Sequence, residues 1–404
     1  MVTTILLVAG VGLLIWSLWS RTFRRVTVNG PIVMTGLGLI AGALLPTQGV
    51  LFMESPATLL LAEMVLAFLL FVDALDVRGS VRSQFTGVPA RLLGIGLPLS
   101  LVLVLAVGLI LPLGLSIAVV LAIACISVPA DFAPETSLVR DERIPARVRR
   151  WLSVESGYND GLVSPLLLGA LAFASAGTSG DAGRAFAVAA PAGLIAIVVG
   201  GALGAAIGAA TGFADRRGWT EPQSMRIAFI AAPLVVFAAA VLLHGNGFVA
   251  VFVAGIAIRL TRGEKGLDRA ELTLLEDVSW LTNLLLWLAF GFAAVVLLSE
   301  TYDWWPAIVL ALVALTIGRI VPVGIALLGS EATRSERIFV AIMGPRGAAS
   351  IVFGLIAANA LPGEEGFLVL AATCMVVLGS VAIHGIGGPL LIRRLWGRAV
   401  PARV

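Results

Sequence analysis

The sequence predicts an all-α polytopic membrane protein with about thirteen transmembrane helices, and three observations carry that prediction. Hydrophobic residues make up 59% of the 404, charged residues only 13%, and the mean hydropathy is +1.04, far outside the composition of water-soluble globular chains. The apolar residues run in long stretches with no period-2 alternation, which points to helices and away from an outer-membrane barrel. The basic residues gather in every second loop, as the positive-inside rule demands of a chain that crosses a bilayer repeatedly.

A span needs roughly 20 apolar residues to cross the hydrocarbon layer. Read this way, the chain offers stretches at 2–20, 29–46, 56–76, 90–111, 113–132, 150–175, 185–212, 225–243, 246–260, 270–298, 304–329, 335–360 and 365–392. The first is apolar from its start and lacks a positive n-region, so it reads as a spanning helix and not a cleavable signal peptide. The second and ninth are short, and only Pro112-Leu113-Gly114 separates the fourth from the fifth. All but three of the 27 basic residues lie at the loops after the odd-numbered spans; the exceptions are Arg184, Arg319 and Arg346. The opposite loops carry Glu54, Asp181, Glu300, Asp303, Glu364 and Glu365. The pattern predicts the N-terminus outside and the C-terminus inside. The longest loop, 133–150, leaves no room for a soluble domain, so one transmembrane domain is expected over 1–404, with a short cytoplasmic tail at 394–404.

Spans 5 and 12 are interrupted. Span 5 holds Pro129 and Pro134 with Asp131 between them, and span 12 has Gly344-Pro345-Arg346-Gly347 at its middle. A mid-helix proline removes a backbone donor and clashes with the preceding turn, so both helices should unwind there. The two are equivalent members of a first repeat at 2–175 and a second at 225–392, with the span at 185–212 as linker. Their offset of seven spans is odd, which makes the halves inverted. Broken helices at matching positions of inverted halves point to a secondary-transporter site near the midplane.

The intramembrane charges sharpen that reading. Glu155, Ser156, Asn159 and Asp160 share one broad face of span 6, with Asp160 about 14 Å along it at 1.5 Å per residue. A carboxylate there is costly, so it is poised to hold either a proton or a dehydrated cation, and that competition is sufficient for exchange. Asp73 within span 3 and Asp131 at the span 5 break are further candidates. Arg346 needs an acid partner, and Glu155 is the natural one, giving a neutral structural pair. Arg319 also needs a partner, which the sequence does not name. His244 and His384 fall near predicted span ends and read as interfacial histidines. Asp76 and Glu63 read as solvated or snorkelled. Cys125 and Cys374 lie in apolar runs and read as inert buried thiols. No nucleophile elbow, P-loop, HExxH or Cys/His metal set occurs, so an enzyme, an ATP-driven pump and a cofactor are not expected; no basic patch interleaved with aromatics suggests nucleic acid.

"VESGYNDG" resembles the Asn-Asp signature of the cation:proton antiporter family, the NhaP-like and NHE-type sodium/proton exchangers. "SVPADFAPE" is similar to the family's Thr-Asp-Pro segment, "AIMGPRGAASIVFGLIA" to its Gly-(Trp/Pro)-Arg-Gly helix, and "GFVAVFVAGIAIR" to its Gly-Phe-Leu-Ala stretch. The resemblance implies that the broken helices cross, and that Asp160 is the shared cation/proton carboxylate. It further implies Asn159 as organiser, Ser156 and the Ala130 carbonyl as ligands, and Asp73 as an acid from the third helix, with Na+ held at Asp160, Asp73 and Ser156. Glu155 with Arg346 would match the family's structural ion pair. A homodimer in the cell (inner) membrane, with a six-helix core (spans 4–6 and 11–13) moving as an elevator, is also implied. Asn at 159 resembles the electroneutral branch. Two positions depart from the pattern: Ala130 stands where the family usually has Thr, and Phe132 where it has Pro.

The expected function is therefore Na+ (Li+)/H+ exchange by alternating access. K+/H+ exchange, and a passive cation channel or proton leak through the same acids, stay open on sequence. A non-transporting receptor is disfavoured by the lack of any tail or partner domain.

Overall fold

A computed structural model describes residues 2–25, 28–45, 56–76, 86–132, 141–175, 182–263, 267–361 and 363–397. Glu54, Arg78, Pro134, Asp181, Lys265 and the end of the tail lie outside the described residues. Among those described there is no strand, and every predicted span contains helix. In chain order the helices are α1 (Val2–Arg25), α2 (Gly30–Leu44), α3 (Pro56–Asp76), α4 (Gly87–Ile110) and α5 (Ile117–Ser127). Then follow α6 (Ala146–Ser175), α7 (Ala182–Arg216), α8 (Pro222–Leu242), α9 (Gly247–Arg262) and α10 (Arg269–Ser299). The last three are each composite: α11a (Trp305–Leu315) and α11b (Ile317–Ala326), α12a (Arg334–Ile342) and α12b (Ala348–Ala360), and α13 (Gly363–Trp396), which has a wide π-type turn at Val381–Ile386.

Among the described residues, α1, α3, α4, α7, α8, α10, the composite α11 and α13 are long and apolar enough to cross a membrane, and α2, α5 and α12b are shorter apolar helices. Helix starts follow the local sequence. The Asn29, Ser116 and Asn246 side chains accept from backbone N–H groups of the first turn of α2, α5 and α9. Thr333 and Glu336 form a capping box on α12a.

Two boundaries differ from the sequence expectation, and the expected break of span 5 is found. Helix α6 begins at Ala146, just after Pro145, so the preceding loop is shorter than 133–150 and Asp160 lies farther from the helix start. Helix α5 ends at Ser127, because Pro129 has no N–H to continue it, and 128–132 run as buried non-helical chain. Span 11 is interrupted at Thr316, whose φ of −116° and ψ of −96° are non-helical. No proline or glycine occupies Thr316; its hydroxyl bonds back to the Leu312 carbonyl, a local alternative to the helix ladder.

The chain divides into two compact units: Met1–Ser55, Val81–Asn159 and Leu284–Val404 form the first, and Pro56–Ser80 with Asp160–Asn283 the second. Within the first, α2 approaches α10 closely. A side chain on Gly42 would meet the Phe292 carbonyl at 2.6 Å, and one on Gly38 would strike the Leu288 carbonyl. Within the second, Gly200, Gly204 and Gly208 repeat every fourth residue along α7 and face Ala250, Ala254 and Ile258 of α9; a Cβ on Gly204 would lie 2.6 Å from the Ala254 Cα. Small residues at this spacing let two backbones touch where lipid supplies no hydrophobic drive to association.

His244 is exposed and closes α8 with a left-handed backbone, φ 60°, the only such non-glycine among the described residues. It is thus a helix terminator at the position where glycine is favoured. We expect His244→Gly to stabilise the protein by about 0.5–1 kcal/mol and His244→Val to destabilise it, read as opposite shifts of thermal unfolding in detergent.

Candidate functional site

Unwound chain inside a membrane leaves backbone groups that water cannot reach, so each must find a partner in the protein. In the first unit the segment 128–132 after α5 and the segment 343–347 between α12a and α12b supply that problem, and each solves much of the other's. At the end of α5, the Ile126 carbonyl accepts from Ser350 Oγ at 2.7 Å and the Ser127 carbonyl from Arg346 Nε at 2.5 Å. The Asp131 N–H donates to the Pro345 carbonyl at 2.7 Å, while its Oδ2 accepts from the Ala348 N–H at 2.8 Å. A carboxylate thereby sits at the N-terminus of α12b, where the helix dipole is positive, and a guanidinium at the C-terminus of α5, where it is negative.

The end of α12a is closed by two other groups. Arg319 Nη2 donates to the carbonyls of Val340 at 3.2 Å and Met343 at 3.0 Å. His384 Nε2 lies 3.2 Å from the Ile342 carbonyl, and its Nδ1 lies 3.1 Å from Ser380 Oγ. Ser380 Oγ in turn accepts from the Arg346 N–H at 2.6 Å. A His384 protonated at Nε2 satisfies this chain. His384 is therefore a buried member of the α12 break, not the interfacial residue expected from sequence; the π-type turn that carries it was not legible there.

The structural ion pair also differs from expectation. Glu155 pairs with Arg319, Nη2 to Oε2 at 2.9 Å and Nη1 to Oε1, in a fork on both oxygens. Both Glu155 oxygens are taken by Arg319, and the Arg346 guanidinium donates instead to the Ser127 and Gly344 carbonyls of the two breaks. Position explains the exchange. Arg346 lies on the unwound segment itself, whereas Arg319 follows the Thr316 interruption by one turn and reaches α6 while also serving the end of α12a. Both arginines and both acids are buried, and the four formal charges sum to zero.

On α6, Asn159 Nδ2 donates to the Ala130 carbonyl at 2.7 Å, and Ser156 Oγ accepts from the Phe132 N–H at 3.3 Å. These two bonds fasten the unwound segment to α6. Asn159 Oδ1 is buried and, among the described residues, accepts no hydrogen bond. A buried acceptor of this kind in the interior calls for a cation or water partner. The first unit thus brings together Ser156, Asn159, Ala130, Asp131, Glu155 and Arg346.

Asp160 and Asp73 belong to the second unit. Asp160 is 5% exposed, and Asp73 on α3 is half-buried. Helix α9 is the neighbour of both their helices there. Gly161 faces the Phe252 ring, where a Cβ would come within 2.9 Å, and Gly255 faces Ala74, at 2.7 Å from its Cβ. Asn246, the cap of α9, reaches Ser164 of α6 at 3.5 Å.

These helices, broken and satisfied by buried charge, define a polytopic ion transporter. The chain belongs to the sodium/hydrogen exchanger family: the family described as "Sodium/hydrogen exchanger, transmembrane" matches residues 5–394. The family is one of cation/proton antiporters, and this chain is accordingly a multi-pass membrane protein of that type. Its fold is similar to the sodium proton antiporter MjNhaP1 from Methanocaldococcus jannaschii at pH 8, with a TM-score of 0.78 at 20% identity over 98% of this chain and all of that one. A second structure of MjNhaP1, from an electron-microscopy map, gives a TM-score of 0.69 at 18% identity over 99% of this chain and 100% of that chain.

Because each member of the Glu155–Arg319 pair is buried, removing one leaves a desolvated charge. We expect Glu155→Ala and Arg319→Ala each to cost about 3–5 kcal/mol, and Glu155→Leu with Arg319→Met together to cost less than either. Thermal unfolding of the three proteins in detergent checks this; additive losses would rule the pair out.

Proposed function

We propose that the protein is an electroneutral Na+ (Li+)/H+ antiporter in which a cation and a proton compete for the Asp160 carboxylate. The observation that carries the reading is the charge arrangement of α6. Glu155 is committed to Arg319 in a two-point fork, while five residues on along the same helix Asp160 places a second carboxyl in the buried interior. A buried carboxylate of this kind is stabilised by either a proton or a cation and not by both.

The ligand groups are Asp160, Asp73, the Ser156 hydroxyl, the Asn159 amide oxygen and the Ala130 carbonyl, and Na+ is cargo held at Asp160, Asp73 and Ser156. The Asn159 bond to the Ala130 carbonyl supports a held, oriented oxygen there. Ala130 offers no hydroxyl, so the backbone carbonyl alone serves from that position. Asp131 completes the cation-binding set, and its Oδ2 on the Ala348 N–H supports a second role in capping α12b. Thirteen crossings, N-terminus out and C-terminus in, inverted repeats with crossing breaks, a homodimer and alternating access complete the reading.

Reconstitution in vesicles with an imposed pH gradient tests it. Adding Na+ or Li+ should dissipate the gradient, a membrane potential set by K+ and valinomycin should leave the rate unchanged, and Asp160→Asn should abolish the flux in a protein that still folds. Cation-dependent proton flux surviving in Asp160→Asn would overturn the site.

Competition also sets a pH dependence. Below the pKa of the cation-free carboxyl, each unit of acidification should raise the apparent KM for Na+ about tenfold, with the rate at saturating Na+ unchanged. A KM that does not move with pH would separate the proton site from the cation site.

A further inference from the structure

Helix α12a is only nine residues long and hangs between a loop and the unwound 343–347 segment, so something must fix its orientation. Its C-terminal end is held through Arg319, which binds Glu155 of α6. Its N-terminal end is held by α6 as well. Arg147 Nε donates to Glu336 Oε1 at 2.6 Å and Nη2 to Oε2 at 2.7 Å, a two-point fork with planar geometry. Glu336 is also the third residue of the capping box, with Oε2 accepting from the Thr333 N–H at 2.8 Å. One carboxylate thus closes the helix start and ties it to α6.

The two partners are not equally exposed. The Glu336 side chain is 3% exposed and the Arg147 side chain 45%. Arg147 is pinned from its other side by Trp151, whose ring centre lies 5.6 Å from the guanidinium carbon. Trp151 belongs to the buried apolar cluster that also holds Phe339 of α12a. Removing Arg147 would leave a buried carboxylate whose remaining bonds come from its own helix, and that carboxylate would be driven to protonate or to swing out. Either outcome loosens the start of α12a while Arg319 still holds its end.

We propose that Arg147 is a positioning residue for exchange: through Glu336 it ties the start of α12a to α6, so that the second break and the helix carrying Asp160 move as one body. This rests on the exchange reading above. A core that moves as one body presents the carboxylate loaded or not at all; a hinge at the start of α12a lets the break open without a cation. The loss of this clamp should therefore appear as slippage, not only as instability.

The test uses purified full-length protein in vesicles, following proton flux with and without Na+. Arg147→Gln and Glu336→Gln should each raise Na+-independent proton flux several-fold over wild type and raise the apparent KM for Na+, whereas Arg143→Gln, whose partner Asp141 lies in the preceding loop, should do neither. The swap Arg147→Glu with Glu336→Arg should recover part of the tight coupling, and Arg147→Lys, which keeps the charge without the fork, should fall between. If Arg147→Gln does not fold, Arg147→Lys decides. Slippage absent from every folded variant, or less folded protein with wild-type coupling and KM per molecule, overturns the proposal. A wild type with no Na+-dependent proton flux overturns the exchange reading instead.

Discussion

The structure depends on one constraint: backbone left bare by a broken helix must be satisfied without water. A bare carbonyl or N–H in a low-dielectric interior costs several kcal/mol, so a break is stable only where partners are built around it. Here the partners come largely from the other break. Asp131 and Pro345 exchange bonds across the two segments, Ser350 and Arg346 close the end of α5, and Arg319 with His384 closes the end of α12a. The charges are chosen by sign, negative at a helix start and positive at helix ends, so that each does electrostatic as well as hydrogen-bonding work. Neither break would be tolerable alone.

This constraint also explains why so polar a stretch is found in so apolar a chain. Glu155 is needed to neutralise Arg319, which is itself needed for the carbonyls of Val340 and Met343. Ser156 and Asn159 are needed to hold 130–132 against α6. The polar face of α6 is therefore largely scaffold, and the proposed exchange concentrates its cargo function in few atoms. Glycine-mediated contacts, α2 with α10 and α7 with α9, give the surrounding helices close backbone packing that side chains would prevent.

The helical architecture was legible in the sequence because apolar run length and the alternation of basic loops are both direct readouts of a bilayer. The prolines at 129 and 345 announced two of the three interruptions. The third, at Thr316, carries no proline or glycine and was invisible, and the true partner of Glu155 was hidden with it. Two buried arginines were available for one glutamate, and sequence spacing alone does not say which reaches it. The serines at 127, 350 and 380 stand in apolar runs with no motif to mark them. Their signal was position: each lies within a few residues of a break or of His384, where a hydroxyl can replace a missing helix bond. The boundary of α6 was misread because its first turn is rich in arginine, which resembles loop when only hydropathy is weighed.

The tether between Asn159 and the Ala130 carbonyl has a consequence for how such a protein tolerates its own chemistry. An amide does not titrate, so that bond holds at every pH, in contrast to a carboxyl, which would switch between accepting and donating. In the proposed exchange the neighbouring Asp160 changes charge while the joint next to it keeps its shape. In that proposal acid-base change is confined to a single rung of the helix, and the frame around it is chemically deaf to the proton exchanged there.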